Sequence, residues 1–154
     1  MTAPMGTMRP IGTLETPFAT IADCPRNGRQ LNPAPLCRVR VFPDFVPGLK
    51  SLDGFSHLIL LYWLDRPARD HALRFVPPFD TEERGLFATR NPVRPNPLGL
   101  SVVTFDGFDG EDCLIVRHLD CLDGTPLLDI KPYLPTTDAV PDASMGWLRP
   151  HATR

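Results

Sequence analysis

Gly99-Leu100-Ser101-Val102-Val103-Thr104-Phe105, then Asp106-Gly107-Phe108-Asp109-Gly110-Glu111, then Cys113-Leu114-Ile115-Val116-Arg117-His118-Leu119, is the stretch on which the fold turns. Two runs rich in apolar and β-branched residues flank a short polar segment with two glycines, the residues a reversing chain uses where φ turns positive. The reading is a β-hairpin in which Gly99 to Phe105 and Cys113 to Leu119 pair antiparallel. Working outward, Leu36 to Phe42 sets Arg38 and Arg40 on one face against Cys37, Val39 and Val41 on the other, the period-2 signature of a half-buried strand. His57 to Leu64 is a continuous apolar run that reads as a strand buried on both faces. Ile11 to Glu15, Gly85 to Thr89 and Leu127 to Lys131 are further short strands. Many short strands with frequent turn residues argue for a closed barrel or a sandwich.

Helix has little room. Proline supplies 19 of 154 residues, more than twice the usual share of about 5 per cent, and each proline removes a backbone donor. Only Pro47 to Gly54 and Arg66 to Leu73 are expected to form short helices. Residues 65–84 contain Pro67, Pro77 and Pro78 and read as a long excursion from the sheet. With 42% hydrophobic residues the chain is too apolar for disorder, and its length fits one domain, 1–154, with the prolines at strand ends and in loops.

Met1 to Thr7 lacks the basic and apolar regions of a secretory leader, and no run approaches 18 apolar residues, so a cytoplasmic protein without a membrane segment is expected. Cys24, Cys37, Cys113 and Cys121 show no CxxC spacing, which suggests reduced cysteines, some buried, rather than a zinc site or a disulfide framework. The net charge of −2 does not advertise nucleic-acid binding, although 14 of the 16 basic residues are arginine. Arg84, Arg90 and Arg94 lie together in sequence, and Asp106, Asp109, Glu111 and Asp112 lie in a later acidic turn. A local basic face able to bind phosphates is the expectation.

Ala88-Thr89-Arg90-Asn91-Pro92-Val93-Arg94-Pro95-Asn96-Pro97-Leu98-Gly99-Leu100-Ser101 holds three prolines in six residues, so its backbone is extended and stiff. Two arginines and two asparagines stand on that frame, an arrangement suited to presenting side chains to a ligand. Together with Leu122-Asp123-Gly124-Thr125-Pro126-Leu127-Leu128-Asp129-Ile130-Lys131-Pro132-Tyr133, this segment resembles the TsaA-like, or TrmO, family of S-adenosylmethionine (SAM)-dependent tRNA adenine-37 N6-methyltransferases. Ile11 to Phe18, Cys24 to Gly28, Gly54 to Leu58 and Pro141 to Trp147 support the likeness in the same order, so it covers nearly the whole chain. The resemblance implies an antiparallel β-barrel, SAM as cofactor, a homodimer with cofactor sites near the subunit boundary, and the tRNA anticodon loop as partner. Full-length bacterial relatives often carry a further C-terminal domain, so the chain is expected to be a short form.

Carried over motif by motif, the family's SAM contacts fall on Pro25, Arg26, Asn27, Arg90, Leu100, Asp123, Gly124, Thr125 and Pro126. Asp65 and Arg66 occupy the positions where many relatives have His and Gln, and Arg66 could offer donors to the SAM carboxylate. Read from residue types alone, Asp123-Gly124-Thr125-Pro126 is a tight turn whose glycine lets backbone approach a ligand. His57, set in Phe55-Ser56-His57-Leu58, reads as a structural histidine. The family's acceptor is the exocyclic amine of a threonylcarbamoylated adenosine, a poor nucleophile that must be aligned and must give up a proton. Asp129 and Lys131, two apart on one strand face, are assigned to that work. Asp129 accepts a hydrogen bond from the reacting group, Lys131 contacts phosphate or the threonyl carboxylate, and Tyr133 stacks on a base. Arg94 and Asn96 are assigned to the substrate. The alternative for the first two is an ion pair that ties down the strand end. Methyl transfer from SAM needs no metal. Other readings are a methyltransferase of another RNA or a small molecule, or a non-enzymatic SAM- or RNA-binding barrel.

Overall fold

A computed structural model describes residues 2–66 and 72–151. Six strands close into an antiparallel barrel: β1 (Gly12–Glu15), β2 (Leu36–Val41), β3 (His57–Trp63), β6 (Leu98–Phe108), β7 (Cys113–Arg117) and β8 (Thr125–Pro132), in the order β1-β2-β7-β6-β3-β8 and back to β1. Closure removes every sheet edge from these strands, so no unpaired edge is left open to another chain. The expected hairpin forms between β6 and β7, with β6 running on through Phe108 past an irregularity between Phe105 and Phe108. The expected choice between barrel and sandwich falls to the barrel.

The barrel interior is filled by the inward half of each alternation. Leu14, Val39, Leu58, Leu60, Val103, Leu114, Val116 and Leu127 are completely excluded from solvent. Cys37 and Cys121 fill the same interior as small apolar side chains, Cys113 is buried outside that core on the opposite face of β7 from Leu114 and Val116, and burial pushes all three thiols up, Cys37 to about 11 and Cys121 to about 12. β3 departs from expectation. Leu58, Leu60 and Tyr62 are buried, whereas His57, Ile59, Leu61 and Trp63 are only half covered, because the barrel covers one face and loops cover the other incompletely.

Two further expectations shift. Gly85 to Thr89 is not a barrel strand: β4 (Arg74–Phe75) and β5 (Arg84–Gly85) form a separate two-stranded ribbon, and Leu86–Ala88 is a 3-10 turn. Pro92, Pro95 and Pro97 follow at once and leave too few backbone donors for a longer strand. The helix expected over Pro47 to Gly54 is instead a 3-10 helix over Pro43–Leu49. Pro43 opens it at the first turn, and Pro47 lacks the N–H that an α-helix would use. α1 (Pro135–Asp138) is a single turn. Most of the helix expected over Arg66 to Leu73 lies outside the described residues.

Candidate functional site at one rim of the barrel

In an antiparallel barrel the ends of β1, β3 and β7 and the starts of β2, β6 and β8 share one rim. Every segment assigned to the cofactor leads into or out of that rim: Pro25 to Asn27 between β1 and β2, Asp65 and Arg66 after β3, Arg90 before β6, and Asp123 to Pro126 at the start of β8. Hydrogen bonds tie these segments together. The Asp123 carboxylate accepts from the Thr16 backbone N–H at 3.0 Å, Gly124 N–H donates to Leu14 O at 2.8 Å, and Asp123 N–H donates to Phe18 O at 2.9 Å. The turn thus sits against the end of β1, with Gly124 at φ +80°, a conformation glycine adopts without a Cβ penalty. Arg66 Nη2 reaches over the turn to donate to Asp123 O and, at 3.4 Å, to Thr125 Oγ1, while its Nε lies 3.6 Å from Asp65 Oδ1. Thr125 is buried, and its hydroxyl donates to Leu122 O at 2.6 Å. Pro25 and Asn27 are half buried and Arg26 is exposed, on a loop held by His118 Nδ1 against Gly28 O at 3.0 Å. Leu100 stands outward on β6, 54% exposed.

Three residues not singled out in the sequence complete this rim. Tyr62, at the end of β3, donates its hydroxyl proton to Asp120 Oδ1 at 3.0 Å, and Ser101 Oγ lies 2.8 Å from the same phenolic oxygen. With the phenolic proton committed to the carboxylate, the serine acts as donor to Tyr62. Tyr62 and Ser101 are buried, and burial together with the neighbouring Asp120 charge raises the Tyr62 pKa well above its ordinary value. Burial likewise raises the Asp120 carboxyl; the Tyr62 hydrogen bond and, more weakly, the Arg90 charge oppose that rise. Cys24 feels the Asp120 and Arg66 charges as well, which places it on the same rim. Hydroxyl-bearing side chains at inward positions of β3 and β6, among otherwise apolar residues, were the available signal in the sequence.

Beside the turn, Trp63, Asn96, Pro126 and Leu128 line a cavity of about 360 Å³ with Met5, Met8 and Pro10 of the N-terminal segment. Its walls are apolar apart from Asn96. The other loop assignment, Arg94, is committed to its own loop: its Nη1 donates to Thr89 O at 2.8 Å, Asn91 O at 3.2 Å and Leu86 O at 3.4 Å, and its guanidinium lies over Phe87.

Asp129, Lys131 and Tyr133 are not brought to this rim. Asp129 and Lys131 do share the outer face of β8, opposite Leu61 and Ile59, and pair with each other at 3.0 Å, both partly exposed. At the rise of an extended strand, Asp129 lies about 13 Å and Tyr133 about 26 Å beyond Thr125. Tyr133 instead meets the start of β3, where its N–H donates to His57 O at 3.1 Å and its ring stands edge-on to His57. His57 holds Ser56 Oγ at 2.7 Å, in keeping with a structural histidine.

The expected basic face is mostly neutralised within the chain. Arg84 pairs with Asp80 at 2.8 Å and Glu82 at 3.2 Å and lies over the Trp147 ring. The acidic turn is matched by Arg38 on Asp109 and Arg117 on Asp106. Among the described residues, Arg90 has no salt bridge, and no cluster of three or more His, Cys, Asp or Glu side chains is placed to hold a metal ion.

The fold and rim together define a small β-barrel domain that gathers charged and hydroxyl side chains at one end. The chain belongs to the family described as the tRNA-methyltransferase O N-terminal domain, whose model matches residues 13–139. An S-adenosyl-L-methionine-binding protein of Archaeoglobus fulgidus is 45% identical over 133 residues, covering 86% of this chain and 93% of its own length. A longer Archaeoglobus fulgidus protein, named "probable S-adenosyl-L-methionine-binding protein", is 46% identical over 140 residues, covering 91% of this chain and 37% of its own length. The crystal structure of TrmO from Pseudomonas aeruginosa superposes with a TM-score of 0.77 at 36% identity, covering 93% of this chain and 62% of that one.

Proposed function

We propose that this chain is a SAM-dependent methyltransferase that binds its cofactor at the barrel rim and acts on the N6 amine of threonylcarbamoylated adenosine 37 in tRNA. The observation that carries the reading is the convergence of four separate loops on one rim whose donor set fits SAM. Arg66 and Arg90 supply cations for a carboxylate, the Asp123 to Thr125 turn supplies backbone and hydroxyl groups, and the neighbouring apolar cavity suits a planar base. Pro25, Arg26, Asn27, Asp65, Leu100, Gly124 and Pro126 complete the shell. The names of relatives 45 and 46% identical support SAM as ligand, and the family's description supports tRNA as partner.

When bound, SAM supplies a methyl group on a sulfonium centre with a good leaving group. The chain's own task is to align the acceptor amine and to take its proton. Asp129 is the group for the proton, Lys131 and Asn96 hold the polar parts of the acceptor, and Tyr133 stacks on a flanking base. Because these side chains lie along β8 away from the rim of their own chain, a homodimer that sets one protomer's β8 face beside the other's rim is part of the proposal. Arg94 serves by stiffening the loop that carries Arg90 and Asn96. A cytoplasmic location and a single domain over 1–154 belong to the same reading. The separation of β8 from the rim also favours a second reading, a SAM-binding module without turnover. Mass spectrometry of tRNA nucleosides from a strain lacking the gene decides between them: loss of N6-methylated threonylcarbamoyladenosine supports the enzyme, and an unchanged profile refutes it.

A further inference from the structure

Asp120 is a part-buried carboxylate, yet no salt bridge reaches it among the described residues. Withdrawing a charge from water without a cation is unfavourable, and the Tyr62 hydroxyl at 3.0 Å satisfies only part of it. A neutral Asn at this position could accept the same tyrosine proton, so the tyrosine–serine network does not explain why the residue is an acid. Of the nearby carboxylates, Asp65 pairs with Arg66, and Asp123 accepts from the Thr16 N–H and is exposed to water, which screens its charge. Asp120 therefore brings a part-buried negative charge without a cationic partner to the rim that also carries Arg66 and Arg90. Two cations beside one anion match an amino-acid head group, an α-carboxylate next to an α-ammonium.

We propose that Asp120 receives the α-ammonium of the cofactor's amino-acid moiety, while Arg66 and Arg90 take its α-carboxylate. The inference rests on the SAM reading above. Tyr62, itself held by Ser101, acts as a positioning residue that holds the carboxylate from the barrel side.

The test is titration calorimetry on the full chain, wild type and Asp120→Asn, with SAM, S-adenosylhomocysteine, the S-adenosylhomocysteine analogue lacking the α-amino group, and 5′-methylthioadenosine, which lacks the amino acid entirely. Asp120→Asn is expected to weaken SAM and S-adenosylhomocysteine alike, by roughly tenfold to a hundredfold, the worth of a charge-assisted hydrogen bond. The deamino analogue and methylthioadenosine should bind both proteins equally. Weakening of SAM alone would assign the carboxylate to the sulfonium and overturn the proposal, as would equal weakening of all four ligands. Should Asp120→Asn fail to fold, wild type decides: tenfold or greater preference for S-adenosylhomocysteine over its deamino analogue supports the ammonium site, and equal affinities overturn it. Wild type that binds none of the four would instead remove the SAM reading itself.

Discussion

Replacing Gly99 by Ala should destabilise the barrel at its functional rim. Gly99 pairs with Tyr62 across β6 and β3, and a Cβ built on it would lie 2.1 Å from Tyr62 Cε2, 2.5 Å from Cδ2 and 2.7 Å from Cζ. The ring has little freedom to retreat, because it is buried and its hydroxyl is tethered to Ser101 at 2.8 Å and Asp120 at 3.0 Å. The structure must either part the two strands or swing the ring and lose those bonds. Overpacking of this kind costs about 1–3 kcal/mol, and a hydrogen bond to a charged group is worth about 1.5–3 kcal/mol, so the cheaper route costs about 2 kcal/mol. For a domain of this size that is a fall in Tm of about 4–8 °C. Denaturant and thermal unfolding of both proteins measure it, and Gly99→Ala should cost less in a Tyr62→Val background than in wild type, because the ring's volume is then vacant. A Gly99→Ala protein within about 0.5 kcal/mol of wild type would refute the close-approach reasoning.

Arg66→Ala should lower SAM affinity about tenfold in calorimetry with unfolding unchanged, since its bonds to the turn are at the exposed surface; unchanged affinity would remove Arg66 from the site. Asp129→Asn should lower single-turnover methyl transfer at least a hundredfold on threonylcarbamoylated tRNA while leaving SAM affinity within about twofold, and equal loss of both would place Asp129 with the cofactor instead. Burial raises the Asp120 carboxyl above its ordinary value of 3.8, so the folded state holds that proton more tightly than the unfolded chain and loses stability as pH rises through the interval between the two values. The Tm of ligand-free Asp120→Asn relative to wild type should therefore improve from acid to neutral pH, and a relative deficit that grows with pH would contradict the burial. Light scattering at micromolar concentration should give the mass of two chains, and a monomer would leave the β8 residues without a route to the rim.

What could be read along the chain was whatever depends on neighbours in sequence. The alternation of Cys37, Val39 and Val41 with Arg38 and Arg40 determined which face of β2 is buried, and the glycines between Phe105 and Cys113 determined the hairpin, because period-2 side-chain direction and positive-φ turns are local properties. The low-degeneracy motifs around Arg90 and Asp123 likewise carried the family and its cofactor segments. Local reading erred where partners in space, which no periodicity reveals, made the decision. Arg84 is spent on Asp80, Glu82 and Trp147, Arg94 on carbonyls of its own loop, and Gly85 to Thr89 is drawn out of the barrel. Barrel closure alone brings Tyr62 to Ser101 across 39 positions and to Asp120 across 58, and sends Asp129 and Tyr133 along β8 away from the rim. Charge and hydroxyl groups are visible in a sequence, but whether they face a ligand, one another or solvent depends on which strand lies alongside, and that is settled only when the sheet closes.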